Sequence, residues 1–368
     1  MGEEFSFYGR EYLLRSLLQA GAQGRWQGLC GGPGCGKTSI LRQLLVVSRR
    51  QWQREPQTTK FVPVLVDLNE CRGAGVAQLP VLLWKQVTAA LSEPTVRGAA
   101  GEVKVPKPAF TGREGDPWQV LAASCEELWG ALRGSEGWCR YFLCVDNADL
   151  LLSRQFKDSL GPLMEFVERS EDFAPCGFIV TGSRVLREYL VDDLGYFHKS
   201  VRPVFLNPLL EGASESMIRA TLPRVTSAQL QIIQEMTGNH PRLLAFCLDE
   251  IRASGALGSA HSLKKRVSVA AEGWFEEIWE QLDLGRGVTY RGAYAAPEHA
   301  LMQLLIDEGE QGTTVKEAER ELGLRPLGDY FELLELLGLV ERTLRGDQRV
   351  TRARCRLWNE WYLDRISF

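Results

Sequence analysis

The residues Gly31-Gly32-Pro33-Gly34-Cys35-Gly36-Lys37-Thr38 carry the strongest chemical signal in this chain. They fit the spacing G-x-x-x-x-G-K-[ST], in which a glycine-rich loop wraps phosphate groups. Glycines let the backbone turn tightly and aim successive N–H groups inward as an anion nest. A helix leaving the loop from Ser39 adds partial positive charge at its N-terminus. Lys37 would reach the β- and γ-phosphates, and the Thr38 hydroxyl would hold Mg²⁺. A second element has the complementary chemistry. The apolar run Tyr141-Phe142-Leu143-Cys144-Val145 ends in Asp146, a carboxylate at a strand tip suited to the same ion, through water.

The residue after Asp146 is Asn147, where many ATPases with this pair of motifs place a glutamate that orients the attacking water. An amide orients water but does not accept its proton. Slow or partner-assisted hydrolysis follows. Asp149 substitutes only if the backbone turns it inward. Thr181-Gly182-Ser183-Arg184 closes another strand. The hydroxyls of Thr181 and Ser183 and the guanidinium of Arg184 would read a γ-phosphate there, the arginine bidentately. The alternative is a solvated turn. The catalytic candidates are therefore Lys37, Asp146, Asn147, Asp149 and Arg184.

These groups need a scaffold that sets them at strand ends. Trp26–Cys30 reads as a strand entering the glycine loop, and Ser39–Leu45 as an amphipathic helix leaving it. Further strand candidates are 61–67, 141–146, 177–181 and 201–206, separated by helical patterns. Continuous apolar runs alternating with helices predict an α/β fold with a parallel sheet covered on both faces. The stretch 93–117, rich in Gly, Pro and charge, reads as an exposed insertion. After Pro208 the pattern turns helical: 214–220, 227–236, 241–252 and 272–282, a helical lid. Beyond Pro297 come helices at 298–307, 314–322 (capped by Thr313 or Thr314) and 329–337. A hairpin turning at Arg345-Gly346-Asp347-Gln348 follows, as in a winged helix-turn-helix. The predicted division is 1–210 (core), 211–290 (lid) and 291–368 (winged unit).

The chain has 368 residues, 45% hydrophobic and 24% charged, with a net charge of −4. That balance gives no global attraction to nucleic acid or to an anionic membrane. No apolar run is long enough to span a bilayer, and the N-terminus has no signal-peptide core. Nine scattered cysteines without a C-x-x-C pair argue for reduced thiols in the cytoplasm rather than disulfides or zinc. Cys35 reads as a small filler in the loop, with a redox switch as the alternative.

Taken in order, these motifs resemble the archaeal ATPase family within the AAA+ and STAND group of P-loop NTPases. Tyr8, Gly9 and Arg10 look like the family's N-terminal Gly-Arg-Glu box near adenine and ribose. Gly31 to Thr38 and Asp146 look like its Walker A and B elements, and Thr181 to Arg184 like its sensor. Leu206-Asn207-Pro208-Leu209 resembles the strand exit. Gly238-Asn239-His240-Pro241-Arg242 resembles the lid box that closes over the base. Leu336-Leu337-Gly338-Leu339-Val340 resembles the end of its winged unit. The resemblance implies ATP or ADP with Mg²⁺. Residues 31–39 would cradle the phosphates, joined by Tyr8–Arg10, Thr181, Ser183, His240, Pro241 and Arg242. Asn147 and the long segment between Asp67 and Tyr141 depart from the family pattern.

Three functional classes follow. One is a nucleotide-dependent switch acting on a protein partner. The second is a DNA-associated oligomeric ATPase completed by a neighbouring subunit's arginine, with Arg154, Arg169 and Arg187 as candidates. The third is a non-hydrolysing adaptor with a structural nucleotide. The wing carries Arg342, Arg345, Arg349, Arg352, Arg354 and Arg356, and strand alternation puts the last three on one face, suited to contact with DNA phosphates. The presumed recognition helix, Asp329–Glu335, is acidic and apolar, which suits packing or a protein partner better than a DNA groove. Trp358, Trp361 and Tyr362 read as core.

Overall fold

The computed structural model describes residues 7–54, 60–71, 78–92, 108, 110, 116–133, 139–152, 157–168, 177–191, 200–255, 258–282, 288–290 and 293–366. Most of the expected insertion at 93–117 lies outside them, as do Arg154 and Arg169. Contacts group the chain into two compact units. One is Arg10–Cys30 with Lys37–Val204; the other holds Gly31–Gly36 and Phe205–Phe368 with the N-terminal residues to Gly9.

The first unit is built on strands β1 (Trp26–Cys30), β2 (Lys60–Asp67), β3 (Cys139–Asp146), β4 (Gly177–Gly182) and β5 (Val201–Phe205). Their order is β2-β3-β4-β1-β5, and the pairs β2·β3, β3·β4 and β1·β4 are parallel. Strands β1 and β4, inside the sheet, read as apolar runs because both faces are covered, whereas the edge strand β5 exposes Arg202, Pro203 and Phe205, so the expected two-sided cover does not extend to it. Phe178, Ile179 and Val180 are fully buried, as are Ile40, Leu41 and Leu44 on one side of helix Lys37–Arg54. The sequence-predicted strands are all present, within a residue or two of their expected ends. Sheet order matters for chemistry here. It sets the tips of β2, β3 and β4 side by side, carrying Asp67, Asp146 and Thr181.

The second unit is mostly helical. Helices Glu211–Thr221, Ser227–Thr237, Pro241–Ser254 and Ala260–Leu282 follow one another. The last begins well before its expected start at Glu272, because Leu263, Val267, Ala271, Phe275, Ile278 and Leu282 form one continuous buried stripe. A short hairpin, β6 (Val288–Tyr290) with β7 (Ala293–Ala295), was not expected. Helices Pro297–Glu308, Val315–Leu322 and Gly328–Leu336 precede the hairpin β8 (Val340–Arg345) and β9 (Gln348–Ala353). The hairpin turns at Gly346-Asp347, as predicted. The cap of the middle helix is Thr314, in a reciprocal capping box with Glu317. The final helix, Arg356–Ile366, places Trp358, Trp361 and Tyr362 in an aromatic cluster with Phe275 and Trp279, which accords with their reading as core.

One expectation about the wing needs correction. Strand β9 ends at Ala353, so Arg354 lies beyond it and Arg356 opens the next helix; the three arginines do not share a strand face. Five of the six arginines around the β8–β9 hairpin pair with glutamates. Arg342 pairs with Glu335 at 2.7 Å, Arg345 with Glu317 at 2.8 Å and Arg352 with Glu341 at 2.6 Å. Arg354 pairs with Glu341 at 3.6 Å and Arg356 with Glu360 at 3.1 Å. Burial draws the Arg354 guanidinium below its ordinary value, and Glu341 opposes that shift.

Candidate functional site

At the tips of the parallel strands the first unit assembles a connected polar group. Asp146 is buried at 1% exposure. Its Oδ2 accepts from the Thr38 hydroxyl at 2.6 Å. Its Oδ1 accepts from the backbone N–H of Asn147 at 3.1 Å and from the Thr181 hydroxyl. A carboxylate at such low exposure must be compensated, and these donors compensate it. The β1-loop-helix path sets Thr38 in the first turn of its helix, and the β3 path ends on Asp146; their oxygens meet although 108 residues separate them. An adjacent hydroxyl and carboxylate fit a hard cation such as Mg²⁺, which takes oxygen ligands and keeps several waters.

Asn147 has φ 60°, the left-handed region, where asparagine is tolerated better than most residues. Its amide turns toward β2, and Nδ2 donates to Asp67 Oδ1 at 2.8 Å. The Asn69 N–H donates to the same oxygen at 2.9 Å. Asp149 has a different task from the one considered from sequence. Its two oxygens accept from the N–H groups of Ser183, at 2.7 Å, and Leu186, at 2.8 Å. It therefore caps helix Arg184–Val191 rather than standing ready as a base. Arg184 pairs with Glu188 at 2.8 Å. Arg187, a candidate to act on a neighbouring subunit, is only 7% exposed, which removes it from that role.

The glycine loop is described within the second unit. Gly34 has φ 72° and Gly36 φ 98°, conformations that L side chains rarely adopt. Among the described residues nothing accepts from the Gly34 or Gly36 amide, which leaves both donors for an anion. The start of the loop is pinned. Gly32 donates to the Leu336 carbonyl at 2.8 Å, and Trp274 donates its indole N–H to the Pro33 carbonyl at 2.8 Å. Trp274 lies in the long helix, 241 residues from Pro33, so no spacing pattern could have marked it. Cys35 is buried, with its Sγ against Gly31.

The lid-box residues divide. His240 is 1% exposed and packs its ring 4.6 Å from that of Trp274, inside the unit. This corrects its expected place at the base: it is a core residue behind the loop. Pro241 opens helix Pro241–Ser254 in its first turn. Arg242 is exposed, with Cζ 4.8 Å over the Phe246 ring, and its Cβ would lie 2.5 Å from a Cβ at Gly34. Tyr8 is half-buried, and Gly9 has φ 73° with its Cα packed against Ala213. The Arg10 carbonyl accepts from Leu14 at the start of helix Glu11–Ala22. Ser39 is exposed in the first turn after the loop.

No protein-family signature and no curated protein matches this sequence. Solved structures do match in fold. A Walker-type ATPase of Pyrococcus abyssi aligns with a TM-score of 0.59 and 15% identity, over 97% of this chain and 96% of that one. The ORC2 protein of Aeropyrum pernix, solved in ADPNP and ADP complexes, aligns with a TM-score of 0.55 and 14% identity, over 99% and 98%. The chain shares its fold with these two proteins along nearly its whole length. Among the described residues no helix is long and apolar enough to cross a membrane.

Proposed function

We propose that this chain binds ATP or ADP with Mg²⁺ at residues 31–38 and acts as a nucleotide-dependent switch of the AAA+/STAND type, with slow or partner-stimulated hydrolysis. The observation that carries the reading is the 2.6 Å contact between Thr38 and Asp146, which joins the end of a G-x-x-x-x-G-K-T loop to the tip of β3. The Gly34 and Gly36 amides and Lys37 would hold the phosphates. Thr38 and Asp146 would hold Mg²⁺, which screens phosphate charge when bound. Thr181, hydrogen-bonded to Asp146, would report the phosphate state to β4. The adenine contacts expected of Tyr8, Gly9 and Arg10, and of Pro241 and Arg242, belong to the same proposal, as do the three-part division of the chain and its winged unit.

Binding to duplex DNA as an oligomer is the second reading, and it has weaker support. The wing's glutamate-paired arginines would have to exchange partners to meet phosphate. Steady-state ATP hydrolysis with and without duplex DNA, measured beside ATP affinity, separates the readings. Tight ATP binding with little turnover in both conditions supports a switch. Strong stimulation by DNA would replace it with the second reading.

A further inference from the structure

Asp67 and Asp146 stand opposite each other in the parallel register of β2 and β3, at the last position of both strands. Residues paired in this way project to the same face, with the strands about 4.8 Å apart. Asp146 is committed on both oxygens, to Thr38, Thr181 and its neighbour's N–H. Asp149 is committed on both oxygens to a helix cap. Asp67 is different. Its Oδ1 accepts from Asn69 and Asn147, whereas its Oδ2 has no hydrogen-bond partner among the described residues, and the side chain is half-exposed. Asn147 stands between the two aspartates, and its amide cannot take a proton.

We propose that Asp67 is the general base for hydrolysis, held in orientation by Asn147; this rests on the reading that the 31–38 loop binds ATP. The carboxylate found directly after the metal-binding aspartate in many ATPases is here supplied one strand away. In the step, a water oxygen bonds to the γ-phosphorus. The bond from that phosphorus to the β–γ bridging oxygen breaks, and its electron pair leaves on ADP. The water's proton passes to Asp67 Oδ2 and then to solvent, releasing inorganic phosphate.

A swap of the pair tests the assignment, because it keeps the side-chain contact while moving the charge. Asp67→Asn keeps an acceptor for Asn69 and Asn147 but removes the base. Its single-turnover rate with radiolabelled ATP should fall about 100-fold or more, with ATP affinity within about threefold of wild type. The double variant Asp67→Asn/Asn147→Asp restores one carboxylate and one amide in contact. Aspartate, like asparagine, tolerates the left-handed backbone at 147. It should recover at least about a tenth of the wild-type rate. Wild-type turnover in Asp67→Asn, or a swap that stays as slow as the single variant, overturns the assignment. Wild-type protein that binds ATP without turning it over also overturns it, leaving the binding proposal intact. Wild-type protein that binds no ATP overturns the binding proposal itself.

Discussion

Removing the indole N–H of Trp274 should loosen the glycine loop. Trp274 is 6% exposed and donates at 2.8 Å to the carbonyl of Pro33, itself buried. Trp274→Phe keeps an aromatic ring against His240 and Phe275 but leaves that carbonyl without its donor. Stranding a buried acceptor costs about 1–3 kcal/mol. Phenylalanine is also smaller, so a cavity adds to the loss. Replacing the indole by benzothiophene, through site-specific incorporation of benzothienylalanine, keeps the shape and isolates the hydrogen bond. At about 2 kcal/mol, the isostere should lower the thermal midpoint by roughly 4–8 °C, on the scale for units of 150–250 residues. If the tether holds the loop in its binding shape, the same energy weakens ATP binding by up to roughly 30-fold. Scanning calorimetry and titration calorimetry with Mg-ATP read the two quantities. An isostere matching wild type in both would refute the claim that Trp274 restrains the loop.

Three further outcomes follow from the geometry. Asp149→Ala should destabilise the protein by about 1–2 kcal/mol through loss of the cap on Arg184–Val191, measured by urea denaturation; a turnover defect without a stability defect would return Asp149 to the catalytic candidates. Thr314→Ala should cost about 1 kcal/mol at neutral pH by breaking the capping box. The Thr314 backbone N–H, its hydroxyl and Arg345 hold the Glu317 carboxyl below its ordinary value of 4.5. The backbone N–H at 314 and Arg345 remain in the variant, so only the hydroxyl's share of that stability is removed. This share is full above 4.5 and is lost as pH falls through the folded value. The deficit should therefore shrink in part toward acid pH, and a deficit that grows would contradict this. Duplex DNA binding at physiological salt should be weaker than about 10⁻⁶ M, since five of the wing-region arginines already pair with glutamates. Submicromolar, strongly salt-dependent binding by fluorescence anisotropy would show that these pairs open.

Much of this was legible in the sequence because local rules governed it. Buried parallel strands are short apolar runs, and the glycine loop's backbone needs are written in its residue types. The hairpin turn at Gly346-Asp347 follows from a two-residue pattern, and a four-residue pattern narrows the helix cap to Thr313 or Thr314, of which the structure uses Thr314. What stayed hidden depends on which strands lie side by side. Asp67 reads only as the end of a strand until the sheet order sets it beside Asp146. Asn147 reads as a lost glutamate until its left-handed backbone turns the amide to Asp67. His240 and Trp274 carry no local signal, because burial of the first and the reach of the second to Pro33 are set by helix packing. The β6–β7 hairpin was missed because strands of three residues offer too few positions to show alternation.

The most direct test of the account is Mg-ATP binding by titration calorimetry, for wild type and for Lys37→Ala, with circular dichroism and thermal melting to show that both are folded. The account predicts binding by the wild type and none detectable in the folded variant. Equal affinity in the two proteins, or no binding by folded wild type, would contradict it.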